Sequence, residues 1–303
     1  MSPSLISLFA FAGTFFWQTA LARGSSQLPL DLDLDLDPPA PSPPYTPLSG
    51  SVQCPIDGPM SCHNNTPIAD DSCCFVYPGG RMLLTQFWDA EVHAGGSETD
   101  WTIHGLWPDL CDGTYDAYCR MTPSYPNITA TLLSHNQTAL LSFMARHWTA
   151  AWGSASHLWA HEYNKHGTCI NTLAPSCYGS SYTPGVEVVD YFTRATALFK
   201  TLDTYTALEQ RGIVPSRDTR YPLADVRAAL EEYAGGKVVL RCTGRGDVLH
   251  EAWYVYFVQG SLQGGEFVPA WKLGREGAAG NCKGWVRYLP KRARRGAAEE
   301  EDL

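Results

Sequence analysis

The chain of 303 residues lacks the sequence patterns of several common enzyme classes. No Gly-x-Ser-x-Gly segment is present, which argues against an unrelated disulfide-rich hydrolase with a Ser–His arrangement. A glycine-rich phosphate loop and an internal repeat are also missing. The histidine-containing stretch at 161–166 does not match a zincin helix, because its fifth residue is Lys165 instead of a histidine. The sequence therefore predicts no metal site and no cofactor.

The chain also lacks a surplus of positive charge. It carries 31 Asp and Glu against 22 Lys and Arg, which gives a formal net charge of −9 at pH 7. An acidic protein repels nucleic acid at neutral pH, so a basic scaffold that coats nucleic acid non-specifically is excluded. Protonation of histidines and of some carboxylates removes this repulsion near about pH 4–5. The charge favours an enzyme with a local site that works in acid.

The N-terminus has no charged side chain over residues 1–22. Its apolar run extends from Leu5 to Phe16 and the segment ends in Ala20-Leu21-Ala22, which predicts a cleaved secretory signal peptide. An uncleaved anchor is the alternative, but the run is short for a membrane-spanning helix. No later segment is apolar enough to span a membrane. We therefore expect a secreted protein without a membrane anchor, located outside the cell or in a vacuolar or lysosome-like acidic compartment.

The cysteines and the glycosylation sequons agree with secretion. Ten cysteines, an even number behind a signal peptide, predict five disulfides, although the sequence alone leaves their pairing open. No Cys-x-x-Cys is present, so a redox or metal role is not expected. Three Asn-x-Ser/Thr sequons predict glycosylation at Asn64, Asn127 and Asn136.

Composition divides the chain into four segments. After the signal peptide, residues 23–50 contain an Asp-Leu alternation and a proline-rich run, which predict a disordered spacer or a removed pro-segment. Residues 291–303 are basic and then acidic, which predicts a charged disordered tail. Residues 51–290 remain as one compact domain.

Hydrophobic patterning predicts the class of this domain. Helices are expected mid-chain and strands at both ends, which favours an α+β fold with a central antiparallel sheet flanked by helices over alternating βαβ units. The expected strands are 82–87, 101–106, 237–241 and 252–258, and the expected helices are 137–152, a segment from 158 onward, 186–208 and 222–233.

The stretch Trp-Thr-Ile-His-Gly-Leu-Trp-Pro at 101–108 reads as a strand that is closed by Gly105 and Pro108. On a strand, His104 points to the face opposite Ile103. A single histidine between aromatic residues is most often a hydrogen-bonded core residue, so this stretch leaves its role open when it is read alone.

The stretch His-Glu-Tyr-Asn-Lys-His-Gly-Thr-Cys at 161–169 supplies two more histidines. If it is helical, Glu162, Lys165 and His166 project from one face. A solvated helix face with an ordinary Glu–Lys pair is the alternative. Together the two stretches hold the groups that cleave a phosphodiester without a metal. One histidine accepts a proton from the attacking hydroxyl and another protonates the leaving oxygen, while a cation and an acid proton stabilise the phosphorane.

Both stretches closely resemble the two active-site segments of the ribonuclease T2 family, the secreted acid ribonucleases, and the resemblance extends over nearly all of residues 51–290. It implies an endoribonuclease that cleaves single-stranded RNA with low base specificity. Transphosphorylation gives 2′,3′-cyclic phosphates, which water then opens to 3′-phosphates. DNA lacks the 2′-hydroxyl and is not expected to be cleaved, and no metal is needed. We expect a monomer.

The resemblance also implies a role for each residue of the two stretches. His166 matches the general base and His104 the general acid, and these roles exchange in the hydrolytic step. Glu162 and Lys165 match the groups that stabilise the phosphorane. His161 matches the histidine that binds phosphate.

Base recognition is implied in the same way. Trp107, Asp109 and Tyr115 match the residues that hold the 5′-side base, and the Asp109 carboxylate adds a purine bias. Gln86 matches a residue that contacts the 3′-side base.

The sequence departs from the fungal members at two positions. Leu158 stands where they usually carry a base-stacking phenylalanine, which leaves the 3′-base preference open. Tyr163 stands where a tryptophan is usual, a difference that we expect to concern packing.

Fungal members of the family have the same order of ten cysteines, including the adjacent pair at 73 and 74. Their connectivity implies the disulfides Cys54–Cys74, Cys62–Cys111, Cys73–Cys177, Cys119–Cys169 and Cys242–Cys282. The alternative function is a secreted binding or defence protein on the same scaffold that has lost catalysis. The complete set of catalytic residues argues against this alternative.

Overall fold

The computed structural model describes residues 51–292 except 56, 64–72, 91–96, 152 and 273–279. The predicted signal peptide, the spacer, the sequon at Asn64 and nearly all of the charged tail lie outside the described residues. Within the described part, no helix is long and apolar enough to cross a membrane.

The fold is α+β, as predicted, and centres on an antiparallel sheet of five strands. The strands are β1 (Arg81–Phe87), β2 (Thr102–Asp109), β3 (Tyr221–Pro222), β4 (Val238–Thr243), β5 (Val248–Gln259), β6 (Glu266–Pro269) and β7 (Trp285–Val286). The order of strands in the sheet is β2-β1-β5-β4, and β6 pairs with the end of β5. Strands β3 and β7 form a separate small ladder.

In the part of the chain that the structure describes, six α-helices lie between β2 and β4. They are α1 (Ile128–Ser134), α2 (Thr138–His147), α3 (Ala155–Lys165), α4 (Val186–Phe199), α5 (Thr204–Glu209) and α6 (Leu223–Ala234). The prediction of one helix over 186–208 is wrong, because Asp203 accepts the Thr206 N–H and begins a second helix there. The helix predicted over 137–152 already ends at His147.

The two faces of the sheet have different partners. One face carries Leu84, Ile103 and Leu106 and packs with α4 and the other helices in the main core. The opposite face carries a smaller apolar cluster, formed by Leu83, Val239, Val255, Phe257 and Ala270 with Trp107 and Trp253 at its border. Because each large apolar side chain contributes about 1.5–3 kcal/mol on full burial, the helical face supplies most of the stability. The second face of the sheet is available for a functional site.

Tight packing of side chains fixes the position of the C-terminal end of α3. His166 caps the helix C-terminally, and a short 3₁₀ segment, Gly167–Cys169, follows directly. A Cβ atom at Gly167 would lie 2.7 Å from the Tyr163 ring, so glycine permits this close approach. Tyr163 is buried and its hydroxyl bonds to that of Thr122 at 2.9 Å. These contacts place Tyr163 in the packing of the helix, as expected.

All ten cysteines form disulfides, and the pairs are those that the resemblance implies: Cys54–Cys74, Cys62–Cys111, Cys73–Cys177, Cys119–Cys169 and Cys242–Cys282. Cys62–Cys111 fixes the loop after β2, and Cys119–Cys169 joins that loop to the segment after α3. These two crosslinks hold the predicted catalytic segments in register with each other.

We predict that removal of Cys119–Cys169 by double alanine substitution lowers the free energy of unfolding by about 2–5 kcal/mol and also lowers activity. The matched control removes Cys242–Cys282, which closes a loop of similar length, 40 against 50 residues, and whose Cys242 lies in the main core. Urea unfolding measures the free energy of unfolding, and RNA cleavage by the folded fraction measures the activity. Equal activity of the two folded variants would contradict a site-specific role for Cys119–Cys169.

Candidate active site

A β-bulge presents His104. The register between β1 and β2 shifts so that Thr85 lies opposite Gly105 and Gln86 opposite Ile103, and no β1 residue lies opposite His104. The Thr85 hydroxyl donates to the Gly105 carbonyl at 3.0 Å and accepts the Gly105 N–H at 2.9 Å. A bulge reorients the side chain at its extra residue. His104 therefore points away from the main core that holds Ile103, as the strand pattern predicts.

His104 is packed between an aromatic ring and two carboxyl groups. Its ring stacks on Phe87 with 4.0 Å between centroids. Its Nε2 lies 3.5 Å from Oε1 of Glu162, and its Nδ1 lies 3.7 Å from Oε1 of Glu251. Burial, followed by the charge of His166 and other neighbouring cations, holds the pKa of His104 well below its usual range. His104 is consequently protonated only in acid.

Glu162 lies at the centre of the site, on α3, and is fully buried. Its Oε2 accepts the indole N–H of Trp107 at 2.7 Å and lies 3.9 Å from Nε2 of His166. Burial raises the pKa of Glu162 to about 8, although the Trp107 N–H and Lys165 act in the opposite direction. Below that pH the group is an uncharged acid that can donate a proton in a hydrogen bond.

His166 faces Glu162 from the end of α3. Its ring stacks on Trp107 with 5.0 Å between centroids, and 4% of the residue is exposed. Burial, with smaller effects of Lys165 and His161, lowers the pKa of His166 to about 3. His166 is therefore neutral and able to accept a proton across the acid range.

Two cationic side chains lie at the more exposed side of α3. Lys165 Nζ lies 6.0 Å from the centroid of the Tyr115 ring, and His161 lies edge-on to Tyr118 at 6.4 Å. The loop that carries both tyrosines is held to α3 by a hydrogen bond from the Tyr118 N–H to the Lys165 carbonyl at 2.9 Å. Burial, and then Lys165, lowers the pKa of His161.

Three buried polar atoms in this cluster have no hydrogen-bond partner: Nδ1 of His104, Oε1 of Glu162 and Nε2 of His166. Buried polar atoms are normally paired, and each unpaired one costs about 1–3 kcal/mol. The unpaired atoms of Glu162 and His166 indicate a site that completes its hydrogen bonds with a substrate, whereas Nδ1 of His104 faces Oε1 of Glu251 at 3.7 Å. Among the described residues, no His, Cys, Asp and Glu side chains are grouped so that they could hold a metal ion.

The residues matched to the 5′-side base differ in accessibility. Tyr115 is 61% exposed and its backbone bridges to Asp109. Trp107 is partly buried and contacts Glu162 as well as both proposed catalytic histidines. Asp109 is buried, and its Oδ2 accepts from Arg81 at 3.2 Å, while burial raises the pKa of Asp109 to about 6. A base would have to approach the Oδ1 atom, so base recognition by Asp109 stays a prediction.

Gln86 is enclosed in the fold. Its side chain is fully buried, its amide donates to the Leu202 carbonyl at 3.2 Å and its oxygen accepts from Thr204 at 2.6 Å. A base could reach this side chain only if these hydrogen bonds were exchanged. Contact of Gln86 with the 3′-side base therefore stays a prediction. Leu158 is half-buried against the main core.

Sequence reasoning missed the contribution of β5. Glu251 and Trp253 lie on the same face of β5, beside His104, and the Trp253 indole N–H donates to Oε2 of Glu251 at 2.5 Å. The expected strand began at Ala252, whereas β5 begins at Val248. Period-two alternation pairs positions 251 and 253, but no motif distinguished them from an ordinary strand.

The family model described as "Ribonuclease T2 family" matches residues 79–269. That range contains His104, Glu162 and His166 and the side chains that surround them. The chain belongs to the ribonuclease T2 family, and its general activity is that of an endoribonuclease of this family.

Relatives and solved structures agree with this placement. "Ribonuclease T2" of Aspergillus oryzae is 44% identical over 81% of this chain and 86% of its own length, and "Ribonuclease Trv" of Hypocrea rufa is 43% identical over 80% and 100%. The crystal structure of Actibind, a T2 ribonuclease, superposes with a TM-score of 0.73 at 43% identity and covers 80% of this chain and 100% of Actibind.

We predict that Gly105→Ala lowers kcat at least about tenfold while the protein still folds, because overpacking costs about 1–3 kcal/mol. A Cβ atom at Gly105 would lie 2.0 Å from Oε2 of Glu162 and 2.6 Å from Nε1 of Trp107, so the carboxyl must move. The matched control is Gly284→Ala, where an added Cβ meets open space. Steady-state kinetics and thermal melting test this. Wild-type kcat in the folded Gly105 variant would contradict it.

Proposed function

We propose that the protein is a secreted acid endoribonuclease that cleaves single-stranded RNA by two successive proton-transfer steps. The observation that carries this proposal is the buried cluster in which Glu162 lies 3.5 Å from Nε2 of His104 and 3.9 Å from Nε2 of His166. Histidines on either side of a neutral carboxyl match the needs of a phosphoryl transfer, in which one proton is removed and another is delivered.

In the first step, neutral His166 accepts the proton of the RNA 2′-hydroxyl as its oxygen attacks the adjacent phosphorus. Protonated His104 gives a proton to the departing 5′-oxygen, and a 2′,3′-cyclic phosphate forms. In the second step His104 accepts a proton from water, and His166 returns one to the 2′-oxygen, which leaves a 3′-phosphate. Each histidine ends the cycle in the protonation state in which it began.

Charge on the phosphorane is stabilised by three neighbours. Glu162, with its raised pKa, donates a hydrogen bond to a phosphoryl oxygen, and Lys165 supplies positive charge. His161 binds the phosphate from the exposed side of α3. These roles need no metal ion. DNA offers no 2′-hydroxyl, so it is bound without cleavage.

Broad base specificity follows from stacking. Trp107 and Tyr115 hold the 5′-side base mainly through ring contact, which contributes about 1–3 kcal/mol per base and accepts every base. A hydrogen bond from a purine to Asp109 adds a modest preference. The protein acts as a monomer.

Secretion is supported by the N-terminal pattern, the five disulfides and the position of two sequons. Asn127 and Asn136 are both exposed, at the beginning of α1 and in the turn after it. A catalytically inactive binding protein on this scaffold is disfavoured, because His104, Glu162 and His166 are all present and Glu162 lies 3.5 Å from His104 and 3.9 Å from His166.

We predict that His104→Phe or His166→Phe lowers kcat by at least about 10²–10⁴, because each removes one proton transfer. The matched control is His157→Phe, which changes an exposed histidine on the same helix as Glu162. Cleavage of RNA is followed with EDTA present, and the product termini are identified. More than about a tenth of wild-type activity in either variant, or loss of cleavage with EDTA that a divalent ion restores, would refute the mechanism.

The pH dependence follows from the directions of the two histidine shifts. The reaction requires neutral His166, whose pKa is about 3, so kcat/KM falls as the pH drops towards that value. It also requires protonated His104, whose pKa lies well below the usual 6.5, so kcat/KM falls again as the pH rises through that lowered value. We predict a bell-shaped profile with its optimum at roughly pH 4–6.

Two substrates separate site chemistry from surface charge in this measurement. With polymeric RNA, raising the salt from about 0.01 to 0.15 M shortens the Debye length from about 30 to 8 Å and should flatten the neutral limb, because the net charge of −9 repels the polymer. With a dinucleoside phosphate the limb should stay in place. A maximum above pH 7 that salt does not change would overturn the acid-enzyme proposal.

A further inference from the structure

Glu251 on β5 faces the nitrogen of His104 that points away from Glu162. Its Oε1 lies 3.7 Å from Nδ1 of His104, whereas Nε2 of His104 faces Glu162 at 3.5 Å. The two ring nitrogens are therefore assigned to different carboxyl groups. Nε2 lies on the side of Glu162 and His166, where the phosphate is expected, and Nδ1 lies on the side of the sheet.

The Glu251 carboxyl is held by Trp253, two residues further along the same strand. The Trp253 indole N–H donates to Oε2 of Glu251 at 2.5 Å, and the Glu251 side chain is 13% exposed. The Trp253 ring in turn lies edge-on to Trp107 and under the Arg241 guanidinium at 5.1 Å. Oε1 of Glu251 lies 3.7 Å from Nδ1 of His104, which is buried and has no hydrogen-bond partner, and 3.9 Å from Nε2 of His250.

We propose that Glu251 is a positioning residue for His104. Its carboxylate accepts the Nδ1–H of His104 during cleavage, so that the Nε2–H is directed at the departing 5′-oxygen. The separation of 3.7 Å needs to close by less than about 1 Å to reach hydrogen-bond length. In the step itself the Nε2 proton moves to the 5′-oxygen, and the Nδ1 proton stays between His104 and Glu251. This inference rests on the proposed general-acid role of His104.

The charges around His104 explain why this carboxylate matters. Glu162 is uncharged in acid because burial raises its pKa to about 8, so it does not offset the cations near His104. Burial raises the pKa of Glu251, and the opposing effects of the Trp253 N–H, His250 and Arg241 are smaller, so the carboxylate form of Glu251 is favoured towards the upper limb of the profile. The titratable and charged groups that face this pair are Glu162, His161 and Lys165 from α3, His166 after it, His250 from β5 and Arg241 from β4.

The sign of the expected effect follows from these charges. A carboxylate beside Nδ1 favours the protonated imidazole and so raises the pKa of His104 against the surrounding cations. Replacement of Glu251 by a neutral amide removes this support, and the pKa of His104 falls further. The limb of kcat/KM that reflects protonated His104 then moves to lower pH. A residue that only packs against the site would not move that limb.

The test compares Glu251→Gln with wild type on a dinucleoside phosphate between pH 3 and 8. We expect kcat at the optimum to fall about 10–100-fold and KM to change little. The high-pH limb of the kcat/KM profile should move to lower pH by about one unit. The matched control is Glu266→Gln, an exposed glutamate on β6, which pairs with the same strand β5. Glu251→Asp keeps the charge and should restore most of the limb position.

A second substrate tests whether the loss passes through the general acid. A nucleoside 3′-(4-nitrophenyl phosphate) has a leaving group that needs little protonation, so Glu251→Gln and His104→Phe should both lose much less activity on it than on the dinucleoside phosphate. Trp253→Phe keeps the ring but removes the N–H that holds Glu251. It should shift the limb in the same direction by a smaller amount and remains informative if Glu251→Gln folds poorly.

The outcomes distinguish this inference from the proposed function. If His104→Phe is inactive on the dinucleoside phosphate but Glu251→Gln has an unmoved limb, the positioning role is overturned and the general-acid role stands. Equal losses of Glu251→Gln on both substrates also overturn it, since they indicate a structural effect. If His104→Phe remains active, the proposed function itself fails.

Discussion

Burial of the Glu162 carboxyl is the constraint on which the site depends. An ionised carboxylate without exposed surface costs several kcal/mol unless it is paired, and here the nearest basic groups are two histidines at 3.5 and 3.9 Å that are themselves buried. The carboxyl therefore stays protonated, with the Trp107 N–H as its hydrogen-bond donor. Gly105 has to lack a side chain so that β2 can approach this group. The segment in β2 and the segment in α3 thus fit together around the Glu162 carboxyl.

The same burial acts in opposite directions on acids and bases, and this sets the protonation states of the groups in the site. It raises the pKa of Glu162 and lowers the pKa of His104 and His166, so all three favour their neutral forms. Their unpaired polar atoms destabilise the fold by about 1–3 kcal/mol each. Disulfides beside the site, which typically contribute about 2–4 kcal/mol, offset that cost and keep the segments from relaxing away from one another.

Local sequence predicted the parts of this arrangement that depend on one element. Period two along β2 placed His104 opposite Ile103, and period 3.6 along α3 placed Glu162 with His166. The bulge at His104 was not predictable, because it arises from the register between two strands. The burial of Gln86 against the turn after α4 was not predictable either, because it depends on contacts with a distant segment. Glu251 was missed because its role depends on the sheet, in which β1 pairs with both β2 and β5 and so brings together segments separated by about half of the chain.

The proposed operation of the site in acid rests on two physical effects that differ in range. Burial shifts the pKa values of Glu162 and of the histidines that lie 3.5–3.9 Å from it, and bulk salt does not enter this cluster. The net charge of −9 acts over the Debye length and concerns the approach of the polymer. A cationic surface would improve RNA binding at neutral pH, but it would leave His104 deprotonated there and the bound substrate uncleaved. Under this proposal the buried cluster sets the working pH range, so an acidic surface costs little in the conditions where the site is active.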